Sequence, residues 1–274
     1  MKKNRFYEIF KKGSKTYFYN SIFFPKEVRE DVFILYSFVR VADNFVDAVP
    51  QKKDEFCNFQ DDFCRSWDGE EIGDEVLDCF TDLARRKNFE KSWVEAFLHS
   101  MELDLTKSTY DNIREVEDYI YGSAEVVGLM MAKVLDVKNE FLRSARYLGK
   151  AMQYINFIRD IEEDNRLGRR YLPTDEMREA GISGLKFNDI KDRTDTFRQF
   201  IRSQLDRYEV WQKEAEKGFK ALEKRYRIPV MNASDMYNWT AGRIRKDPMV
   251  VYRKKVKPSK VRIVGNLIGK KISV

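Results

Sequence analysis

The chain has 274 residues, a net charge of +6, one histidine, three cysteines, 13 glycines and 6 prolines. The lone His99, and Cys57, Cys64 and Cys79 at spacings that fit no zinc motif, argue against a histidine triad, a His-rich metal site and a disulfide framework. Low Gly and Pro with abundant Lys, Glu, Arg and Leu favours long helices over strands, and 14% aromatic residues suit a core or an apolar cavity.

The opening MKKNRFYEIFKKGSK carries no apolar stretch, so no signal peptide is expected, and no apolar run is long enough for a spanning helix. A reducing, cytoplasmic location follows as the expectation. Pro25 fits the first turn of a helix through EVREDVFILYSFVRVADNFVD, which breaks at Ala48, Val49 and Pro50. Residues 51–67 and 74–88 read as shorter helices parted by Asp68 and Gly69, and residues 90–106 as another, carrying His99 in a structural role. Asp111 or Asn112 can cap a helix through 135, and 137–164 reads as one long helix. NRLGRRYLPTDE is a loop, 188–225 and 230–246 are helical, and about 250–274 is a basic, irregular tail. Nothing divides the chain, so one domain over 1–274 is expected. The tail's charge suits a phosphorylated substrate or anionic lipid at a peripheral membrane contact, with Ile263, Val264, Leu267 and Ile268 interspersed.

Two segments carry paired carboxylates. RVADNFVD holds Asp43 and Asp47, and QYINFIRDIEED holds Asp160 and Asp164. A spacing of four puts each pair on one helical face, where like charges repel until a cation is bound. Mg²⁺ takes oxygen ligands from one or two carboxylates plus substrate phosphates. Spacing alone is a weak signal, since Asp74, Asp78 and Asp82 repeat it beside Glu70, Glu71 and Glu75, a solvated setting. The other two pairs sit on apolar helices, where unpaired carboxylates are costly. They are accompanied by Arg40, Gln153, Asn156 and Arg159.

At these residues the chain resembles the phytoene/squalene synthase family. The likeness runs through GSKTYFYNSIFFPKEVREDVFILYSFVRVADNFVD, then YIYGSAEVVGLMM at 119–131, then QYINFIRDIEEDNRLGRRYLP at 153–173, in the family's order. The last block is the most specific. The resemblance implies an all-α, single-domain isoprenoid-synthase bundle around an apolar cavity, joining two prenyl diphosphates for carotenoid-type isoprenoid biosynthesis. It implies Mg²⁺, with Mn²⁺ as a substitute, on Asp43, Asp47, Asn156, Asp160 and Asp164. It also implies diphosphate or site contacts from Ser14, Lys15, Thr16, Tyr36, Arg40, Gln153 and Arg159. Tyr119 and Tyr237 are expected to face the reacting centre or the diphosphate, and Arg253 and Lys260 mark the tail's phosphate-contacting cations. Two departures stand out: Asn44 replaces the second of two adjacent Asp, and Glu125 stands where many relatives have Gly, either at the surface or at the site.

The chemistry so implied needs cations for the leaving diphosphate, a water-free cavity for the allylic cation and aromatic faces to stabilise it, with no histidine or nucleophilic Ser or Cys. Ser21 is small at a position that looks bulky in relatives using the farnesyl chain, and Phe33 is expected at the cavity floor. The small Ser21 favours two geranylgeranyl diphosphates going to phytoene. The alternative is a C30 product, with NADPH required only for squalene. A terpene cyclase or chain-elongating enzyme conflicts with the 153–173 block, and a non-catalytic assembly factor conflicts with the retained aspartates. A nucleic-acid partner is not expected.

Overall fold

The computed structural model describes residues 3–273, apart from the side chains of residues 3, 4, 15, 16 and 271–273. Among the described residues there is no strand, only an isolated bridge between Thr109 and Arg170. Helices α1 (Lys3–Gly13) and α2 (Lys15–Ser21) meet at Ser14, which caps α2 by accepting from the Tyr17 N–H at 3.3 Å. Helix α3 (Lys26–Asp47) begins just after Pro25 and buries Val28, Val32, Leu35, Phe38, Ala42 and Val46, a stripe at helical spacing. Around it pack α4 (Lys53–Trp67), α5 (Glu75–Lys87) and α6 (Lys91–Leu103), with Phe38 stacked on Phe80 at 3.7 Å. Asp74 caps α5, Asp78 accepts from the Ile72 and Gly73 N–H groups and Asp82 pairs with Arg86, so the acidic run expected to be a solvated face serves local structure.

The second half supplies α7 (Ile113–Ile120), a π-turn (Tyr121–Glu125), α8 (Val126–Val134), α9 (Leu142–Arg159) and α10 (Ile161–Arg166). It continues with α11 (Thr174–Glu179), α12 (Phe187–Ile190), α13 (Thr194–Glu216), α14 (Lys224–Lys246), α15 (Val250–Arg253) and α16 (Lys260–Ser273). Helices α8 and α9 cross very closely. A Cβ on Gly149 would lie 2.3 Å from the Ala124 carbonyl oxygen, and one on Gly128 2.5 Å from that of Ala145, so neither position admits a side chain without shifting the crossing. Beside this crossing Glu125 is buried and pairs with Arg146 at 2.8 Å and Lys150 at 3.5 Å, so it is a helix clamp and not a surface acid. Faces of α2, α3, α8, α9, α13 and α14 enclose a cavity of about 340 Å³.

Four sequence expectations are corrected. The helix expected over 137–164 breaks at Asp160, whose φ of −100° and ψ of 14° separate α9 from α10. The helix expected to end at 135 carries the π-turn, and the one expected over 188–225 is interrupted after Ile190 and ends at Glu216. None of these breaks disturbs the hydrophobic periodicity, which is why the pattern does not reveal them. The tail is not irregular. Helix α16 buries Ile263 and Leu267 against Ile228 and Met236. The Asn266 side-chain amide donates to Asn232 and Asp235, both at 2.7 Å, and Asp235 pairs with Lys270 at 2.8 Å. Among the described residues no helix is long and apolar enough to cross a membrane.

Candidate active site

The end of α3 and the break between α9 and α10 bring the two aspartate pairs to one end of the cavity. Arg169, in the loop after α10, joins them. Its Nη1 donates to Asp47 at 2.7 Å, its Nη2 donates to the Val46 carbonyl at 2.6 Å, and its backbone N–H donates to the Asp164 carbonyl at 2.8 Å. The same guanidinium lies 3.9 Å from Asp104, whose carboxylate accepts from Tyr119 at 2.7 Å and Tyr171 at 2.8 Å. The loop itself is pinned to the segment before α7, with Arg170 N–H donating to Ser108 and Thr174 N–H to Tyr110.

The electrostatics show carboxylates held close under burial. Burial pushes Asp164 up to about 8, reinforced by the charges of Asp160 and Glu163. Asp43 is raised by burial and then by Asp47, against the opposing charge of Arg40, with which it pairs. Asp104 is raised by burial despite Arg169. Asp160 behaves differently: burial pushes it up, but Arg159 and Lys255 outweigh that and leave it below the ordinary carboxylate range. Asn156 lies beside this cluster. Its amide N–H donates to Gln153 at 3.3 Å, whereas its Oδ1 is buried without a hydrogen-bond partner.

These features fit a divalent cation. Acidic charge from two motifs, partly offset by Arg40, Arg159, Arg169 and Lys255, and an orphaned amide oxygen form an all-oxygen donor set of the kind hard cations take. Among the described residues no three acidic side chains converge on a preformed metal centre.

Aromatic residues connect the acids to the cavity. Tyr36 stacks on Phe10 at 4.0 Å, lines the cavity and feels the charges of Arg40 and Asp43. A Cβ on Gly13 would meet the Tyr36 hydroxyl at 2.2 Å, so the end of α1 closes over that tyrosine only as glycine. Tyr237 donates to the Tyr17 hydroxyl at 2.8 Å, and Tyr17 donates to the Met152 sulfur at 3.3 Å. Gln153, Asn156 and Ser21 line the same cavity, and the Ser21 hydroxyl donates to the Phe18 carbonyl at 2.8 Å.

Several predicted residues fall elsewhere. Tyr119 does not line the cavity; it sits behind the acids, donating to Asp104 in a cluster with Tyr110, Phe157 and Tyr171. Phe33 is not on the cavity floor, because it packs outward against Tyr7, Phe10 and Phe18. Ser14 acts as the α2 cap, and the side chains of Lys15 and Thr16 lie outside the described residues. In the tail, Arg253 pairs with Asp247 and Lys260 lies over the Tyr19 ring at 5.2 Å. The cations that reach the site are Lys255, 3.2 Å from Asp160 and paired with Glu163, and Lys257, whose pKa is lowered by burial and by Lys255 and Arg159. His99 is exposed beside Glu102 at 3.6 Å, outside the site.

Arg169, Asp104, Tyr171 and Tyr17 are residues that sequence reasoning leaves without a role, and within the basic tail it does not single out Lys255 and Lys257. Arg169 and Tyr171 stand inside the 153–173 block and Tyr17 in the first block, so their signal was present; Asp104 ends α6 with no motif around it.

Residues 10–262 match the family model described as Squalene/phytoene synthase. The chain is 29% identical over 272 residues to the chloroplastic phytoene synthase of an Oncidium hybrid cultivar, covering 93% of this chain and 64% of that protein. It is 27% identical over 270 residues to the 15-cis-phytoene synthase of a Paracoccus species, covering 95% of this chain and 88% of that one. It thus spans just under two thirds of the chloroplastic relative. Among solved structures, a dehydrosqualene synthase in complex with ligand superposes with a TM-score of 0.88 at 23% identity, covering 98% of this chain and 94% of that one. Squalene synthase HpnC from Alicyclobacillus acidocaldarius gives 0.79 at 20%, covering 89% and 92%. These likenesses show the fold, the all-α isoprenoid-synthase bundle.

Proposed function

From the premise that the chain belongs to the squalene/phytoene synthase family, we propose that it condenses two geranylgeranyl diphosphates head to head into phytoene, through a cyclopropyl diphosphate. The observation that carries this reading is the meeting of two aspartate pairs and the unpartnered Asn156 Oδ1 at one end of an apolar cavity. Asp43, Asp47, Asn156, Asp160 and Asp164 are the residues that would hold Mg²⁺, or Mn²⁺ in its place. When bound, such an ion neutralises diphosphate charge and assists departure of that group.

The chain's own residues do the rest. Arg40, Arg159, Lys255 and Lys257 supply positive charge to two diphosphates beyond what the ions neutralise. Tyr36 and Tyr17 present aromatic faces where the acid site opens into the cavity, each able to stabilise an allylic cation by about 0.5–2 kcal/mol. The apolar walls exclude the water that would trap that cation. The second chain's alkene attacks the cation and proton loss closes the three-membered ring; the product is still a diphosphate and meets the same cations for its own ionisation.

Incubation with labelled geranylgeranyl or farnesyl diphosphate and Mg²⁺, with and without NADPH, followed by product mass, tests the reading. A C40 hydrocarbon is expected without NADPH. Only C30 products from farnesyl diphosphate would overturn the choice of substrate. Peripheral contact with an anionic bilayer rests on narrower ground than the sequence suggests, since Ile263 and Leu267 are buried. Val261 and Ile268 are exposed on α16 beside Lys260 and Arg262. Flotation with anionic liposomes at low and high salt tests it, and absence of binding at both rejects it.

A further inference from the structure

The cavity is a tube with chemistry at one end only. Helix α9 runs its length, from Leu142 to the break at Asp160, about 28 Å from Phe141 at the helical rise. Helices α2 and α14 run alongside: Tyr17 and Tyr237 lie at the acidic end, while Phe24, Pro229 and Val230 line the wall towards the other. That other end is formed where helices stop. Helix α8 ends at Val134, and the chain turns through Asp136 at a φ of 52°. Single 3₁₀ turns follow at Asn139–Phe141 before α9 and at Phe219–Ala221 after α13. The two turns are neighbours, because a Cβ on Gly218 would lie 2.4 Å from the Ser144 Cβ.

Val137, Phe141 and Phe219 line the cavity and are half-buried, whereas Asp136, Lys138, Glu140 and Lys220 beside them in sequence are exposed. Apolar side chains carried on short connecting segments therefore form this end of the cavity, next to exposed charged residues. Such turns have poorer hydrogen-bond geometry than the helices around them and belong to the part of a fold that opens most easily. The acidic end is lined differently, by the ion pairs of Arg40, Arg159, Arg169 and Lys255 with aspartates. A hydrocarbon that has lost both diphosphates has no polar partner there, whereas the side chains at the far end are apolar.

We infer that the wall formed by Val137, Phe141 and Phe219 is an exit gate through which the apolar product leaves, at the end of the cavity opposite the diphosphates. This rests on the condensation reading for the identity of the product, but the gate itself is a property of the cavity. Diphosphates enter and leave at the acidic end, and the hydrocarbon leaves at the far end once the two 3₁₀ turns part.

The test uses the full chain in two experiments. Uptake of diphenylhexatriene, a rod-shaped apolar fluorophore, is followed by stopped flow without any prenyl substrate. Phe219→Ala should admit it faster and Val137→Trp slower, each by roughly tenfold, equal to about 1.4 kcal/mol of barrier. In the second experiment, the ratio of the single-turnover to the steady-state rate of hydrocarbon formation should rise roughly tenfold in Val137→Trp and fall in Phe219→Ala. Val137→Phe replaces it if circular dichroism shows that Val137→Trp does not fold. Uptake rates indifferent to both substitutions, no uptake by any form, or equal loss of single-turnover and steady-state rates overturns the gate. A wild-type protein that makes no hydrocarbon sinks the condensation reading instead, and the uptake rates then still decide the gate.

Discussion

Arg169 holds the Asp47 carboxylate at 2.7 Å while its own backbone N–H holds the Asp164 carbonyl at 2.8 Å, so one residue ties the two acidic motifs together. Its guanidinium is 7% exposed, and the Asp47 side chain is 36% exposed. Arg169→Ala should cost about 1–3 kcal/mol of stability by leaving buried acceptors unpaired, less than for a fully buried pair. Turnover should fall further than stability, because Asp47 loses its orientation, and the Mg²⁺ concentration for half activity should rise. Denaturant titration and Mg²⁺ dependence measured on the same variant separate these effects. An unchanged Mg²⁺ requirement would sink the bridging role.

The tail cations give a contrast between neighbours. Lys255→Ala removes a charge 3.2 Å from Asp160, and Lys257→Ala removes one that interacts with Lys255, Arg159 and Asp160. Each should raise the KM for a prenyl diphosphate by roughly 10-fold or more, the size of a lost charge-assisted hydrogen bond of about 1.5–3 kcal/mol. Arg253→Ala and Lys260→Ala should leave KM unchanged, since those residues engage Asp247 and the Tyr19 ring. Steady-state kinetics on the four variants check this, and the opposite ranking would restore the register expected from sequence.

Metal and pH should be linked through Asp164. Its folded pKa of about 8 lies above the ordinary 3.8, so the folded chain prefers the neutral carboxyl. The resulting contribution to stability is fully present below the unfolded value and is lost as pH rises through about 8. Without divalent metal, thermal stability should therefore decline from about pH 5 to about pH 9, and Asp164→Asn should flatten that decline. Mg²⁺ should stabilise the wild type more at the alkaline end, where the carboxylate it meets is ionised. Melting curves with chelator and with Mg²⁺ measure both effects. An Asp164→Asn protein with the wild-type slope would show that other groups govern it.

The acidic pairs were legible because two carboxylates four apart on an apolar helix conflict with burial unless something binds them, and that conflict is written in Asp43, Asp47, Asp160 and Asp164. Most helices were legible for the same kind of reason, as the stripe on α3 illustrates. What periodicity cannot carry is contact between distant segments. Nothing near Asp104 indicates that Tyr119, Tyr171 and Arg169 converge on it from 15, 67 and 65 positions away. The family likeness alone points Tyr119 at the reacting centre or the diphosphate, whereas its hydroxyl donates to the acid behind Arg169. Tyr119→Phe separates these roles. It should lower stability by about 1–3 kcal/mol through Asp104 and leave the product distribution unchanged, as product analysis with a parallel melting curve would show. The tail was misread because its buried face is only Ile263 and Leu267, too short a stripe to stand out among so many lysines.

Chain length should turn on Ser21. Its side chain faces the cavity, one helical turn beyond Tyr17, and the residue is 1% exposed. The Ser21 hydroxyl is spent on the Phe18 carbonyl, so it offers a substrate only its small volume. A phenyl ring there would project into the space towards Phe24 and Leu135, where the tail of a prenyl chain must lie if its diphosphate is at Asp43 and Asp160. Ser21→Phe should therefore disfavour geranylgeranyl diphosphate and retain farnesyl diphosphate. The discrimination should exceed the one-methylene value of about 1–3 kcal/mol, because a whole isoprene unit is displaced. Single-turnover product formation with both substrates, in wild type and variant, measures it. A wild type that accepts only farnesyl diphosphate ends the phytoene reading. A wild type that uses geranylgeranyl diphosphate and keeps that preference as Ser21→Phe leaves the product standing and moves the cause of its length to the distal wall at Phe141 and Phe219.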